Sequence, residues 1–211
     1  MVQFSLFGIP INIQPFFWIT LAIIGGGLRA DSGAAILQTG LFVIAGFVSV
    51  LVHELGHALT ARRFGASAAI TLQAFGGYAA YAGVRLSRPQ RFFITAAGPA
   101  LQILLGAVVL LALQVLPRIS TSFNDFLHIM VWISFVWAIL NLLPILPLDG
   151  GQMLNTILGE ERIKITLWTT IITAAVIGYL GLRFTGSILL PIFMAMFAWQ
   201  GWQTLRENRW R

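Results

Sequence analysis

Cysteine is absent from this sequence and charge is scarce. Without cysteine, disulfide bonds and thiolate metal ligands are excluded. Only 9% of the residues are charged, whereas soluble domains carry about 25%. Hydrophobic residues make up 58% of the chain, and several apolar runs approach or exceed the ~20 residues needed to cross a bilayer. These features predict a multi-span membrane protein.

The chain also lacks any segment that could be a separate soluble module. No charged or Pro/Ser-rich stretch is long enough, and no cleavable signal peptide is expected at the N-terminus. We therefore expect residues 1–211 to form one transmembrane domain. The net charge of +6 does not indicate nucleic-acid binding, because the basic residues stand at the ends of apolar runs, where they anchor helices.

The apolar runs predict an all-α membrane protein with about six transmembrane helices. The expected spans lie at about residues 1–28, 38–61, 92–116, 126–143, 165–182 and 186–204. The first span is irregular, because it contains Pro10 and Pro15 and needs residues 9–14 to reach full length.

Basic residues are distributed unequally between the two sides that six spans would define. Ten of them fall on the side that holds both termini, and three fall on the other side, namely Arg29, Arg118 and Arg183. By the positive-inside rule, both termini are expected to be cytoplasmic, in a multi-pass protein of the plasma membrane.

The segment between spans two and three, residues 66–88, has no helical pattern. It holds β-type residues on either side of Phe75-Gly76-Gly77-Tyr78, which predicts a short hairpin. The hairpin is apolar, and non-helical backbone is tolerated at membrane depth only where protein or a wet cavity covers it. We expect it to be re-entrant; an ordinary apolar surface loop is the alternative.

A His-Glu-x-x-His pattern, His53 to His57, lies inside span two. On a helix, the two imidazoles lie one turn apart on the same face and can bind one zinc ion, with Glu54 beside its water. Ionisable residues in a span cost about 2.5–3.5 kcal/mol each when charged, so an unused trio is not expected there. The alternative is that the three side chains form hydrogen bonds between helices.

Two histidines leave a catalytic zinc one protein ligand short. His128 lies at the opposite end of its span and is interpreted as an interfacial residue near Trp132. Asp149 follows span four after Pro144 and Pro147, on the side where span two ends, and its carboxylate is a suitable zinc ligand. An N-cap of a short helix through Leu158 is the alternative role.

Asn141 stands directly before the break in span four. A buried amide can donate a hydrogen bond to a developing oxyanion or to a substrate backbone. A hydrogen bond between helices remains the alternative.

Together these residues resemble the site-2 proteases, a family of intramembrane zinc metalloproteases that cut transmembrane substrates. The resemblance rests on His53–His57 and on residues 141–151, and includes Phe75–Tyr78 and Ala97-Gly98-Pro99. It covers spans two to four, about residues 38–151. Where the family often has an asparagine three residues after its Gly-Pro, this chain has Gln102, to which no role is assigned.

The resemblance implies one zinc ion per chain, held by His53, His57 and Asp149. It further implies Glu54 as the catalytic acid/base, Asn141 as a substrate or oxyanion contact, and a hairpin near Gly76 beside the active site. The partners it implies are transmembrane protein substrates in the bilayer. No PDZ-like domain is found, so either a minimal member of the family or a chain trimmed to its membrane core is expected.

Two other functions remain open at this point. A membrane metal-ion or proton transporter would also bury His and Glu, although it would usually carry further polar residues along several spans. A relative that binds helices without cleaving them is less consistent with the intact Glu54.

Overall fold

A computed structural model describes residues 1–74, 76–185 and 188–207, which form four β-strands and seven α-helices. The strands are β1 (Val2–Leu6), β2 (Ile9–Ile13), β3 (Ser67–Gln73) and β4 (Gly76–Ala82). The helices are α1 (Pro15–Ile24), α2 (Gly33–Arg63), α3 (Arg88–Val115), α4 (Thr121–Asn141), α5 (Asp149–Leu158), α6 (Ile163–Thr185) and α7 (Leu189–Arg206). Phe75 of the predicted hairpin, Gly186 of span six, and Arg209 and Arg211 of the charge count lie outside the described residues.

Four helical segments of the described chain are long and apolar enough to cross a membrane. They are Gly33–Arg63, Arg88–Val115, Thr121–Asn141 and Glu160–Phe184, and they correspond to predicted spans two to five. At ~1.5 Å per residue, the 31 residues of α2 extend over about 46 Å, more than a bilayer core requires. The expectation of a mainly helical chain with several potential membrane spans is confirmed.

The N-terminal segment differs from the prediction of a helical first span. Residues 9–13 form β2 rather than helix, and α1 has only 10 residues, about 15 Å. The cause is the alternation of Ile9, Ile11 and Ile13, which are all buried on one face of the strand. Pro15 then begins α1, since a proline at the first helical position lacks only an N–H that the helix does not use.

The strands form one sheet in the order β1-β2-β3-β4. The pairs β1–β2 and β3–β4 are antiparallel, whereas β2 and β3 are parallel neighbours. The predicted hairpin of residues 66–88 therefore exists as β3 and β4, but it is half of a larger sheet. Because β2 and β3 are parallel, α1 and α2 must carry the chain away from the sheet and back to it.

The chain forms two compact units, residues 1–86 with 97–138 and residues 87–96 with the segment from 139 onward. In the first unit, one face of the sheet packs on α1 and α2. The buried residues of this core are Ile9, Ile11, Ile13, Phe17, Leu21, Val50, Leu51, Leu55, Ala58, Ile70 and Leu72. This packing holds the sheet beside the half of α2 that carries the His-Glu-x-x-His pattern.

In the second unit, the loop after α4 leads into α5 and then into the hairpin of α6 and α7. Gly178 and Gly181 face the side chains of Met194 and Leu190, so the two helices lie close together. The backbone N–H of Leu146 donates to the hydroxyl of Thr170 at 3.0 Å. This bond attaches the loop that precedes Asp149 to a long helix.

Candidate active site

Helix α2 places His53, Glu54 and His57 on its buried side. Their side chains are only 4%, 4% and 8% exposed. The Nε2 atoms of His53 and His57 lie 3.0 Å apart, and the ring planes are inclined by 79°. A tetrahedral ion with Zn–N bonds of about 2.0–2.1 Å would separate two ligand nitrogens by roughly 3.3 Å. The histidine pair therefore has nearly the spacing that zinc requires.

Helix α3 approaches the histidine pair so closely that only glycine fits at the contact. A Cβ atom on Gly98 would lie 2.2 Å from Nε2 and 2.3 Å from Cε1 of His57. On the facing helix, a Cβ on Gly56 would lie 2.4 Å from the carbonyl oxygen of Ala97. Gly98 thus lies directly against the His57 ring, whereas Ala97 faces Gly56, so this segment contacts a site residue as well as packing the two helices together.

We expect Gly98→Ala to weaken metal binding by displacing His57. An added methyl group cannot share space with the imidazole, so the ring must rotate or α3 must move. Disturbing the contacts that orient a metal ligand typically lowers affinity by about 10–100-fold. Competition between the purified protein and a chelator of known zinc affinity measures this loss.

Gly40→Ala is the matched control for this substitution. Gly40 lies on the exposed side of α2, and a Cβ atom added to it would meet no atom of the described residues within 4 Å. The substitution should leave zinc affinity unchanged and stabilise the helix by up to ~1 kcal/mol. An unaltered zinc affinity in Gly98→Ala would show that His57 does not depend on this contact.

Strand β4 passes directly beside the carboxyl group of Glu54. A Cβ on Gly77 would lie 2.6 Å from Cγ and 2.8 Å from both Cδ and Oε1 of Glu54. Only a residue without a side chain allows this approach. Gly77 therefore lets one edge strand of the sheet approach Glu54.

Asp149 is the first residue of α5 and is 7% exposed. The N-cap of α5 is Leu148, so the alternative that Asp149 caps this helix is wrong, although the helix ends at Leu158 as expected. Tight packing fixes the residue's position. Cβ atoms on Gly150 and Gly151 would lie 2.1 Å from the carbonyl oxygen of Leu142 and 2.4 Å from the carbonyl carbon of Ile145.

His53, His57 and Asp149 each offer a ligand atom to one place. These three atoms all lie within 4.8 Å of one another, and all three residues are buried. Two imidazole nitrogens and one carboxylate oxygen are a donor set of catalytic zinc sites, which leave a fourth position for water. The residues present therefore fit a zinc ion.

Three further residues that the sequence analysis considered lie on α3 and α4. Asn141 is the last residue of α4 and is half-buried, and its catalytic role stays a prediction. His128 is exposed near the start of the same helix, where Trp132 is 70% exposed. Gln102, which had no assigned role, is fully buried and accepts a hydrogen bond from Nδ1 of His53 at 2.9 Å.

Comparison with known proteins gives one family and several relatives. The sequence model of Peptidase family M50 matches residues 41–119 and 116–182. A zinc metalloprotease of Methanocaldococcus jannaschii is 30% identical over 159 residues, which are 75% of this chain and 45% of that protein. Stage IV sporulation protein FB of Bacillus subtilis is 32% identical over 156 residues, 72% of this chain and 49% of that protein. The chain thus spans less than half the length of these two relatives.

A solved structure resembles the fold over most of its length. The site-2 protease from Methanocaldococcus jannaschii superposes with a TM-score of 0.69 and 26% sequence identity. The match covers 96% of this chain and 94% of that one.

Proposed function

Because the chain belongs to peptidase family M50, the site-2 proteases, we propose that it is an intramembrane zinc metalloprotease. Its substrates are membrane proteins, which it cleaves in or near their transmembrane segments. The family resemblance noted from the sequence is confirmed, and the activity of this chain is the proposal.

The grouping of ligand atoms from His53, His57 and Asp149 is the observation that carries this proposal. Under the proposal, these three residues hold one zinc ion per chain. When bound, zinc supplies a Lewis acid that lowers the pKa of its water to about 7 and polarises the scissile carbonyl. The location of the site inside apolar helices suits substrates that are themselves membrane-embedded.

Glu54 acts as the general base and then as the general acid. It lies between the two histidines in the sequence and is 4% exposed, and in the proposal its carboxylate takes the proton of the attacking water. It then delivers that proton to the leaving amine. Asn141 donates its amide to the oxygen of the scissile carbonyl or to the substrate backbone.

A substrate helix must unwind before it can be cut, because its carbonyl groups are engaged in internal hydrogen bonds. Strand β4 forms an edge of the sheet and lies against Glu54. An unwound substrate segment can pair with this edge as an added strand, which brings its backbone beside the catalytic carboxylate.

The proposed topology has six crossings, in which residues 9–28, with only about 15 Å of helix in α1, and α7 complete the four long helices. Residues 1–211 act as one membrane domain with its core at about 38–151. The parallel pairing of β2 with β3 supports a first excursion through α1 and α2. The sheet is then re-entrant on the cytoplasmic side, and both termini face the cytoplasm. The surplus of basic residues on that side supports this orientation, and the plasma membrane is the proposed location.

Zinc removal tests the activity directly. We expect the purified protein to cleave a membrane-anchored substrate, to lose activity after dialysis against a chelator, and to recover it when one equivalent of zinc is added. A metal transporter is the competing function, and it would move zinc across liposomes without cleaving the substrate. Flux without proteolysis would overturn the proposal.

A further inference from the structure

We propose that Gln102 is a positioning residue, which fixes the tautomer and the orientation of the His53 ring. This inference rests on the zinc site of the proposed function. Gln102 lies on α3, and His53 lies on the neighbouring helix α2. It is completely buried, although a glutamine side chain is costly to bury unless its amide is hydrogen-bonded.

The hydrogen bond between the two residues has only one possible direction. Oε1 of Gln102 can only accept a hydrogen bond. Nδ1 of His53, which lies 2.9 Å away, must therefore be the protonated nitrogen that donates to it. A neutral imidazole protonated on Nδ1 has its lone pair on Nε2. That is the nitrogen 3.0 Å from Nε2 of His57, so the bond prepares His53 to bind a metal through the correct atom.

The other end of the Gln102 amide is held as well. Its Nε2 donates to the hydroxyl of Ser49 at 2.9 Å, and that hydroxyl lies 3.1 Å from the hydroxyl of Ser134 on α4. All four side chains in this row are buried, and the two serines are fully so. The row therefore ties three helices together and limits the movement of the Gln102 side chain.

The row from His53 through Gln102 to the two serines supports a metal ligand through groups that do not touch the metal themselves. Histidine ligands of metals nearly always donate their second nitrogen to an oxygen acceptor, and loss of that acceptor lowers metal affinity by about 10–100-fold. Glutamine performs here the task for which an acidic residue or a backbone carbonyl often serves. Unlike an acidic residue, glutamine does so without adding a charged side chain to the apolar interior.

The experiment measures zinc affinity in two variants at this position. Gln102→Met keeps the length of the side chain but removes the strong acceptor, and we expect about 10–100-fold weaker zinc binding. Gln102→Glu restores an acceptor for the Nδ1 proton, and we expect affinity within about three-fold of the original. Wild-type affinity in the methionine variant, or an equal loss in both variants, would overturn the proposal.

A control variant distinguishes the positioning of His53 from the general effect of removing a buried polar group. Thr95 is also buried on α3, and its hydroxyl donates to the carbonyl of Arg91 in its own helix, so Thr95→Val should not change zinc affinity. If the methionine variant does not fold, the zinc affinity of Ser49→Ala tests the proposal instead. A loss of about 3–10-fold supports the proposal, and an unchanged affinity overturns it.

The zinc content of the unmodified protein separates an error in the zinc site from an error in the role of Gln102. If the unmodified protein binds no zinc, the zinc site itself is wrong. If it binds one zinc ion and the variants at residue 102 behave alike, only the role of Gln102 is wrong.

Discussion

Glu54→Gln is expected to abolish peptide-bond cleavage while zinc remains bound. The glutamine amide has nearly the same size and shape as the carboxylate, so the contact with Gly77 can persist. It cannot accept a proton from water at neutral pH. Loss of a general acid/base lowers the rate by about 10²–10⁴-fold, and here one group performs both proton transfers.

Two measurements on the same sample make this result specific. Zinc content should equal that of the unmodified protein, and cleavage of a membrane-anchored substrate should fall below detection. Glu160→Gln is the matched control, because the Glu160 side chain is 79% exposed and its one described ion pair, with Arg91 at 3.5 Å, lies at the surface. Cleavage retained in Glu54→Gln would remove this residue from the mechanism.

The second large effect is expected for Asp149→Asn, which should lose zinc and activity together. An amide oxygen carries no negative charge, so the site would keep two neutral imidazoles and little attraction for a divalent cation. We expect affinity to fall by more than the roughly 10–100-fold that follows loss of an outer-shell contact. Metal analysis after gel filtration in detergent measures the loss.

Local stability must be checked separately in this variant. Asp149 opens α5, where a carboxylate stabilises the helix N-terminus by about 0.3–1 kcal/mol, so a small decrease in Tm is expected. Asp31→Asn, at an exposed position, is the control and should keep full zinc content. Unchanged metal and activity in Asp149→Asn would require a different third ligand.

The long helices were predictable from the sequence because their apolar runs are local. Predicted span two, at 38–61, lies inside α2, and predicted span four, at 126–143, largely coincides with α4. The break after α4 was predictable for the same reason, since Pro144 and Pro147 cannot continue a helix. The grouping of the His pair with Asp149 followed from the order of the spans.

The N-terminal strands were not predicted, although β1 and β2 pair with each other locally, because β2 joins the sheet through a strand that is distant in sequence. Strand β2 pairs with β3 across a separation of 59 residues, as in Ile11 with Ile70. No local pattern reveals a partner at that distance. The alternation of Ile9, Ile11 and Ile13 was nevertheless present and is typical of a half-buried strand.

The role proposed for Gln102 could not have been found from spacing alone. It depends on how closely α3 approaches α2, and that distance is set by Gly56 and Gly98. One local signal was available, since Ser49 precedes His53 by one helical turn and therefore shares its face. A buried polar residue on that face indicates a hydrogen-bonding partner on a neighbouring helix.

X-ray absorption at the zinc edge of the purified protein identifies the ligands of the bound metal. We expect one zinc ion per chain, with two imidazole nitrogens at about 2.0–2.1 Å and oxygen ligands in the remaining positions. The imidazole signal should decrease in His53→Ala and in His57→Ala. A spectrum without imidazole ligands, or a protein that purifies active and free of zinc, would contradict the proposed zinc site.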